Sequence, residues 1–413
     1  MMEKTRVLYI QHAGALGGSV YSLAYLIKGI NRERYEPIVV CIHDNPEIRA
    51  VYESMGVETN VCRGISIFPH TTGGWYSMFD PLGIVGLFKA AWKFIPSIKE
   101  TEEAVRRIKP DIVHLNSLVL SPSAVGVKRV GLPLVWHVRE SVARGHLGLR
   151  KWLLSRLVNR KADEIVFISE YDRQALLGNR RGIVVPNFVD EDKFNPQVGG
   201  ETVRRELSLA DEDKVILFMG GRSVVNGIFP LLKAIPLIKA RISRTRCVIL
   251  GAIYEQSNGL LARSARKILP KFGHGTLSQR VDQTISDLKI ADNLILLPWR
   301  SDVERLIAAC DVVVFPSIEP HFARPVIEAG TMGKPVVASR IGGVEELVDD
   351  GVTGILVTPG DHVALADALV RVLSDEGLAR RMGEEGRKRA LERYSMKNVK
   401  RVEEIYERLL KDG

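Results

Sequence analysis

A chain of 413 residues is long enough for two or three domains with full cores, and 46% hydrophobic with 26% charged residues is the ordinary globular range. Cys41, Cys62, Cys247 and Cys310 are widely spaced with no CxxC pair, the opening MMEKTRVLYIQH lacks a secretory apolar core, and no run reaches about 18 uninterrupted apolar residues; zinc site, disulfide framework and spanning helix are not indicated, and a reducing cytoplasm is expected. The net charge of +9 is uneven: residues 1–190 hold 25 Lys+Arg against 18 Asp+Glu, net +7, and the remainder 33 against 31, net +2, which points to a negatively charged surface or substrate on the first half.

In chain order, Arg6 to Ile10 reads as a strand, and HAGALGGSV leads into a helix from about Ser19 to Ile30. A strand, then Gly14, Gly17 and Gly18, then a helix is a layout that lets a ligand approach the backbone closely, although the glycines also serve simply to make the turn. Pro37 to Ile42 and Glu58 to Val61 read as further strands. From Thr72 to Ile98 the chain is rich in Trp, Phe, Gly and Leu, with Lys89, Lys93 and Lys99 at helical spacing. This is either an amphipathic helix dipping into lipid headgroups or, more plainly, a helix packed on the sheet.

Asp111 to Leu115 and Pro133 to Val138 are strands whose far ends gather His114, Asn116, His137, Arg139 and Glu140. Sites are built at such ends, and His137 can donate or accept a hydrogen bond near neutral pH; alone it would read as structural. Residues 144–161 place seven basic residues, counting His146, among Leu, Trp and Val, a face suited to an anionic membrane or simply to solvent; no nucleic-acid module surrounds it. Asp163 to Ser169 is another strand. Asp190-Glu191-Asp192 matches the acid-any-acid pattern of some metal sites, but its polar setting before Lys193 and Phe194 reads as surface, and no metal is expected. The polar stretch 196–213 marks a domain boundary.

The second half restarts with a strand, Val215 to Met219, then GGRSVVNGIF and a helix. Gly220 and Gly221 permit close backbone approach, and Arg222 offers a fork of donors matched to phosphate oxygens. Arg246 to Gly251 is a strand, 254–290 a basic excursion without one, and 294–299, 311–315, 335–339 and 354–357 complete a β/α series with a second parallel sheet. The densest segment is Asp311 to Ser339: a strand, a loop with Glu319, His321 and Arg324, a helix opened by Pro325, and the strand PVVAS form one βαβ unit. Helix N-termini beyond such strands favour a phosphate. Glu328, about one turn into the helix among apolar neighbours, either meets a hydroxyl-bearing partner such as a ribose or is a solvated helix glutamate. Gly342 and Gly343 open another helix, a second phosphate contact, and the tail from about Ala364 is helical.

Residues Val185 to Pro196 (VPNFVDEDKFNP), Phe218 to Asn226, Asp311 to Ser339 and Ile341 to Asp361 (IGGVEELVDDGVTGILVTPGD) resemble, in that order and spacing, the retaining glycosyltransferases of family 4. The resemblance implies the GT-B fold, an α/β architecture of two Rossmann-like parallel-sheet domains facing across a cleft. Residues 1–195 would bind the acceptor, 196–390 a nucleotide sugar, and the helix 391–413 would return to the first domain. It implies a nucleotide-sugar donor, a glycan or lipid-linked acceptor, no metal and no other cofactor. Carried over by position, Glu328 would bind the ribose, Arg222 the pyrophosphate, and the amides around Phe322, Ala323 and Arg324 the sugar or phosphate. Gly17 and Gly18 would lie near the phosphates and His137 near the sugar. His137, Arg222 and Glu319 are the catalytic candidates, with Asn226, Arg300 and His321 among the substrate-binding ones.

Two positions depart from the family pattern. Asn226 stands where a lysine usually follows the loop arginine by four residues, and Pro320 stands where a first glutamate usually precedes the ribose-binding one by eight, with Glu319 one earlier. Arg324 or Arg300 would have to replace the missing cation, which matters because donors fixed where charge develops on the leaving diphosphate lower the barrier. The leading expectation is a transferase of envelope or exopolysaccharide synthesis, cytoplasmic and peripheral on the inner face of the membrane through its basic first half, with no nucleic-acid partner. The competing expectation is a GT-B protein of weak or no activity that binds a nucleotide sugar or a partner without turnover.

Overall fold

The computed structural model describes residues 3–68, 81–142, 148–178, 181–253 and 276–411. The aromatic residues 72–80, the basic residues 144–147 and most of the excursion, 254–275, lie outside them. Two compact units result, one made of residues 1–190 with 393–413 and the other of 191–392.

The first unit holds seven parallel strands: β1 (Thr5–Gln11), β2 (Tyr35–Cys41), β3 (Glu58–Val61), β4 (Ile112–Leu115), β5 (Leu134–Val138), β6 (Glu164–Phe167) and β7 (Ile183–Val184). Their order is β3-β2-β1-β4-β5-β6-β7, with Val7 opposite both Pro37 and Ile112. The central strands are near-continuous apolar runs because helices cover both faces of a parallel sheet. Leu8, Ile10, Val40, Leu115, Trp136 and Phe167 belong to one buried cluster.

The 28-residue helix Pro81–Ile108 divides the two readings of its sequence between its halves. Its second half is buried through Ser97, Ile98, Thr101, Ala104 and Val105. There it packs on the helix Ser121–Val130, so closely that a Cβ on Gly126 would lie 2.7 Å from the Ile98 carbonyl oxygen. Its first half turns Phe88 and Trp92 outward, 72% and 84% exposed.

The last helix, Val399–Lys411, buries Tyr406 against Tyr9, Tyr35 and His114 of the first unit. One expectation needs correcting. Asp190 is buried rather than a surface carboxylate, because Lys28 Nζ donates to its Oδ2 at 2.6 Å.

The second unit holds six parallel strands: β8 (Lys214–Phe218), β9 (Thr245–Ile253), β10 (Leu294–Pro298), β11 (Val312–Phe315), β12 (Val336–Ser339) and β13 (Gly354–Val357). Their order is β10-β9-β8-β11-β12-β13, and Phe218 pairs with Val314, which pairs with Val337, so the carboxyl ends of β8, β11 and β12 lie level. In each sheet the order reverses beside the first strand of the unit, β1 next to β4 and β8 next to β11. Crevices for ligands form at such switch points. Both glycine loops leave the sheet there.

Candidate active site

The loop after β8 is shaped by three glycines. Gly221 has φ +58, and a Cβ on it would meet the Gly251 carbonyl oxygen at 2.8 Å. A Cβ on Gly220 would collide with the Phe218 ring at 2.2 Å. Gly227 has φ +86 and is packed so tightly that a Cβ would fall 1.8 Å from the Pro316 carbonyl oxygen. Only glycine fits that close approach.

Gly227 thereby presses the glycine loop onto the loop after β11, and hydrogen bonds complete the join. The Ser317 hydroxyl donates to the Val225 carbonyl at 2.6 Å, and the Ile318 amide donates to the same oxygen at 2.9 Å. Gly343, at φ +84, brings the third glycine turn to 3.7 Å of the His321 carbonyl oxygen, measured from the Cβ it lacks. Gly227 and Ser317 were not singled out in the sequence, since nothing in either stretch names its partner.

Two helices begin at this junction, Ile228–Lys239 and Arg324–Thr331, and neither has a side-chain cap at its N-terminus. Their first amides carry partial positive charge and suit an anion. Glu319 has a buried carboxylate oxygen, Oε2, that no donor reaches among the described residues. A carboxylate oxygen in that condition is costly unless a ligand hydroxyl supplies the donor. The His321 ring packs on Phe315 and its Nδ1 lies 3.0 Å from the Glu319 carbonyl oxygen, which can only accept, so Nδ1 carries the hydrogen and Nε2 is left as an acceptor. Burial lowers the His321 pKa, which keeps the ring neutral near pH 7.

The charged candidates are held by neighbours. Glu328 accepts from Arg324 Nη2 at 2.9 Å, one helical turn away, with both side chains almost covered. Its partner in this structure is therefore a guanidinium. Arg222 donates from Nε to the Ala252 carbonyl at 2.8 Å and from Nη1 to Asp282 Oδ1 at 2.6 Å. Asp282 is 59% exposed, so this pair is weak and open to exchange with a phosphate. Asn226 donates to the Gly220 carbonyl at 2.9 Å and braces the loop where a lysine would have brought charge. Arg300 is gripped by Asp302 at 2.7 Å and Glu206 at 3.0 Å, bonds that raise its pKa and bind it to the Glu201–Glu206 helix side of the unit. Phe322 is half-buried and Ala323 fully buried at the mouth of the Arg324 helix.

In the first unit, Gly17 sits at the start of the helix Gly18–Gly29 in extended backbone, φ 173, with nothing within 4 Å of the Cβ it lacks. The loop before it is tied down by Asn45 to the Gly14 carbonyl at 3.1 Å, and the first turn of the helix after it by Asn116 to the Ser19 carbonyl at 3.2 Å. His137 Nδ1 lies 3.2 Å from His114 Nε2, His114 Nδ1 lies 2.6 Å from the Tyr406 hydroxyl, and Tyr406 meets the Tyr9 hydroxyl at 3.0 Å. All four are buried, and His137 Nε2 has no partner among the described residues. Burial first, then the Arg139 charge, lowers the His137 pKa well below its usual value. Arg139 is fixed by Asn116 at 2.7 Å and by Asn187. Tyr406, 292 residues from His114, was invisible as part of this cluster. Among the described residues no three His, Cys, Asp or Glu side chains gather as a metal site, and no helix is long and apolar enough to cross a membrane.

This arrangement has relatives. The family description "Glycosyltransferase Family 4" matches residues 16–193, and "Glycosyl transferases group 1" matches residues 200–389. The Escherichia coli UDP-Gal:alpha-D-GlcNAc-diphosphoundecaprenol alpha-1,3-galactosyltransferase is 24% identical over 418 residues, covering 98% of this chain and 96% of that one. The Bacillus anthracis N-acetyl-alpha-D-glucosaminyl L-malate synthase is 25% identical over 229 residues, 55% of this chain; the match spans only 54% of that protein, and 51% of an uncharacterized Methanocaldococcus jannaschii glycosyltransferase that is 28% identical. Among solved structures, Anabaena HepE in complex with UDP and glucose superposes with a TM-score of 0.77 at 21% identity, covering 98% of this chain and 99% of that one. A Rickettsia africae glycosyltransferase gives 0.73 at 21% identity, covering 99% and 100%. With both halves matched by the two halves of one family, and two Rossmann-like parallel sheets in the order just described, the chain belongs to the family 4 glycosyltransferases of GT-B fold.

Proposed function

We propose that the chain transfers a sugar from a nucleoside-diphosphate sugar to a glycan or lipid-linked acceptor, with retention of anomeric configuration and without a bound metal. The observation that carries this reading is the junction of two uncapped helix N-termini, locked by Gly227 against Pro316, with the unbonded Glu319 carboxylate oxygen beside them. The diphosphate takes the helix N-termini and Arg222, which releases Asp282 to solvent. The ribose hydroxyls reach Glu328, whose charge Arg324 holds in place, and a sugar hydroxyl satisfies Glu319. Within the first unit, His137 offers Nε2 to a sugar oxygen.

Breaking the anomeric bond leaves negative charge on the diphosphate. Donors already aimed at that charge stabilise the transition state more than the intact donor. The names of the relatives support the donor class: the Escherichia coli enzyme is named for UDP-galactose and a diphosphoundecaprenol-linked acceptor, and Anabaena HepE was solved with UDP-glucose.

Asn226 favours a second reading, a binding protein of weak turnover, because its amide is spent on the Gly220 carbonyl. One experiment separates the two. UDP and GDP are screened for a melting shift, and sugar release from the corresponding donors is then measured for the native chain and for Asn226→Lys. A shift with turnover supports transfer; a shift without turnover, rescued by the lysine, supports the binding protein; no shift with either nucleotide sinks both.

A further inference from the structure

A cleft of about 770 Å³ opens in the first unit at the carboxyl ends of β2 and β3. It adjoins the Gly14 loop, since His43 lies in its wall and would be 3.5 Å from a Cβ on Gly14. Arg63, Lys89 and Lys93 line it against a single carboxylate, Asp44, so three positive charges face one negative, a surplus of two. Arg63 bonds Asp44, which also lies 3.6 Å from Arg49, and that carboxylate is therefore saturated. Lys89 and Lys93 are exposed and meet no carboxylate among the described residues. The cleft suits a ligand of about two negative charges.

The two lysines stand on the helix Pro81–Ile108 with Gly86 and Ala90, which also line the cleft. Val85, Phe88, Trp92 and Ile95 form a separate row on the same helix, 50%, 72%, 84% and 63% exposed. At about 100° per residue, that row lies roughly a third of a turn around from the cleft face. Between Val85 and Lys99 there are three lysines and no acidic residue. A protein partner or a second copy of this chain would have to cover an apolar row hemmed by like charges. An anionic bilayer takes the apolar row into its interface and pairs the lysines with headgroups at once.

We infer that the cleft binds the phosphate or diphosphate head of a lipid-linked acceptor, while the outer row of the same helix rests in the bilayer that holds the lipid's tail. One helix thus fixes both the depth of the protein on the membrane and the position of the acceptor head beside the Gly14–Gly18 loop. The inference rests on the transferase reading above and names its acceptor class.

The test uses the full chain, farnesyl diphosphate and inorganic pyrophosphate as soluble probes, and vesicles of phosphatidylcholine with or without phosphatidylglycerol; the UDP melting shift is recorded in parallel. The native chain should bind farnesyl diphosphate at least tenfold more tightly than pyrophosphate and float with the anionic vesicles. Lys89→Ala with Lys93→Ala should weaken farnesyl diphosphate at least tenfold and leave the UDP shift unchanged. Phe88→Ser with Trp92→Ser should weaken vesicle binding at least tenfold; these side chains are exposed, so folding is not at stake. Equal affinity for the two diphosphates, or native affinity in the lysine variant while UDP still shifts the melt, overturns the inference and leaves the transferase reading standing. Absence of a melting shift with both UDP and GDP in the native chain overturns the transferase reading itself.

Discussion

The buried row Tyr9, Tyr406, His114 and His137 can be ordered in two directions, and each leaves one hydrogen at an end of the row: on His137 Nε2 in one, on the Tyr9 hydroxyl in the other. If Tyr9 donates to Tyr406, Tyr406 to His114 Nδ1, and His114 Nε2–H to His137 Nδ1, every donor in the row is used except His137 Nε2–H. The reverse order leaves the Tyr9 O–H, fully buried, without an acceptor among the described residues. An unsatisfied buried donor costs about 1–3 kcal/mol in either order, and a ligand oxygen that accepts from His137 Nε2–H removes that cost from the first order alone. In that first order His137 presents Nε2–H, a donor, to the ligand. Tyr406 is a positioning residue in this scheme, acting on the substrate through two imidazoles. Tyr406→Phe keeps the ring and deletes the hydroxyl. Turnover should fall about tenfold or more with little change in donor KM, and ¹⁵N spectra should show the His137 tautomer becoming mixed. Unchanged tautomers and an unchanged rate would show that the row only fills space. Glu319→Gln is the second residue-scale test, because it replaces the unbonded acceptor by a group that can donate. Sugar transfer should drop about a hundredfold, while the UDP melting shift, which depends on the diphosphate and ribose, should stay as in the native chain.

Gly227 and Gly17 are both glycines before a helix, yet they ask for opposite outcomes. Gly227→Ala meets the Pro316 carbonyl and a left-handed φ together, so the glycine loop and the loop after β11 must part. A loss of about 2 kcal/mol or more and a weakened UDP melting shift are expected. Gly17→Ala has open space and an extended backbone, and its melting temperature should match the native one. If phosphates approach that turn as expected, turnover nevertheless falls. The contrast shows what sequence could disclose. The strands were legible because parallel strands covered on both faces are written as apolar β-branched runs, and the glycine turns because no other residue punctuates β to α in that way. Ser317 and Gly227 were not, since their roles are set by a carbonyl in another loop. Asp190 looked like a surface acid until Lys28, 162 residues away, was brought against it. The helix Pro81–Ile108 carries one amphipathic pattern along its length, but only its second half meets the helix Ser121–Val130, so periodicity alone could not say where the packing stops.

At the scale of the molecule, the two units carry different acid sensitivities. His12, His114 and His137 all lie in the first unit. Burial lowers the first to about 4, with His43 and Arg139 adding to it, and the second to about 3, with help from Arg139; the third is lowered well below its usual value. In the second unit His321 is the one described histidine with a lowered value. A histidine depressed in the folded state takes up its proton later than in the unfolded chain. Its contribution is therefore complete above about pH 6.5 and is lost as pH falls toward the folded value, at about 1.4 kcal/mol per pH unit for each group. Three such groups give the first unit a slope of up to about 4 kcal/mol per unit in that window, against about a third of that for the second. Lowering the pH from 7 to 5 should therefore drive the melting transition of the first unit down much further than that of the second, seen by calorimetry as two transitions drawing apart or changing order. Glu170 and Asp302, held by arginines, and Asp213, held by the Ala210 amide and Arg244, are lowered from the usual carboxylate range and fall below this window. Transitions that shift in parallel would mean that the imidazole row is hydrated and protonated in the folded chain. In that case it could not present His137 as a neutral donor, and the direction argued for the Tyr406 row would fall with it.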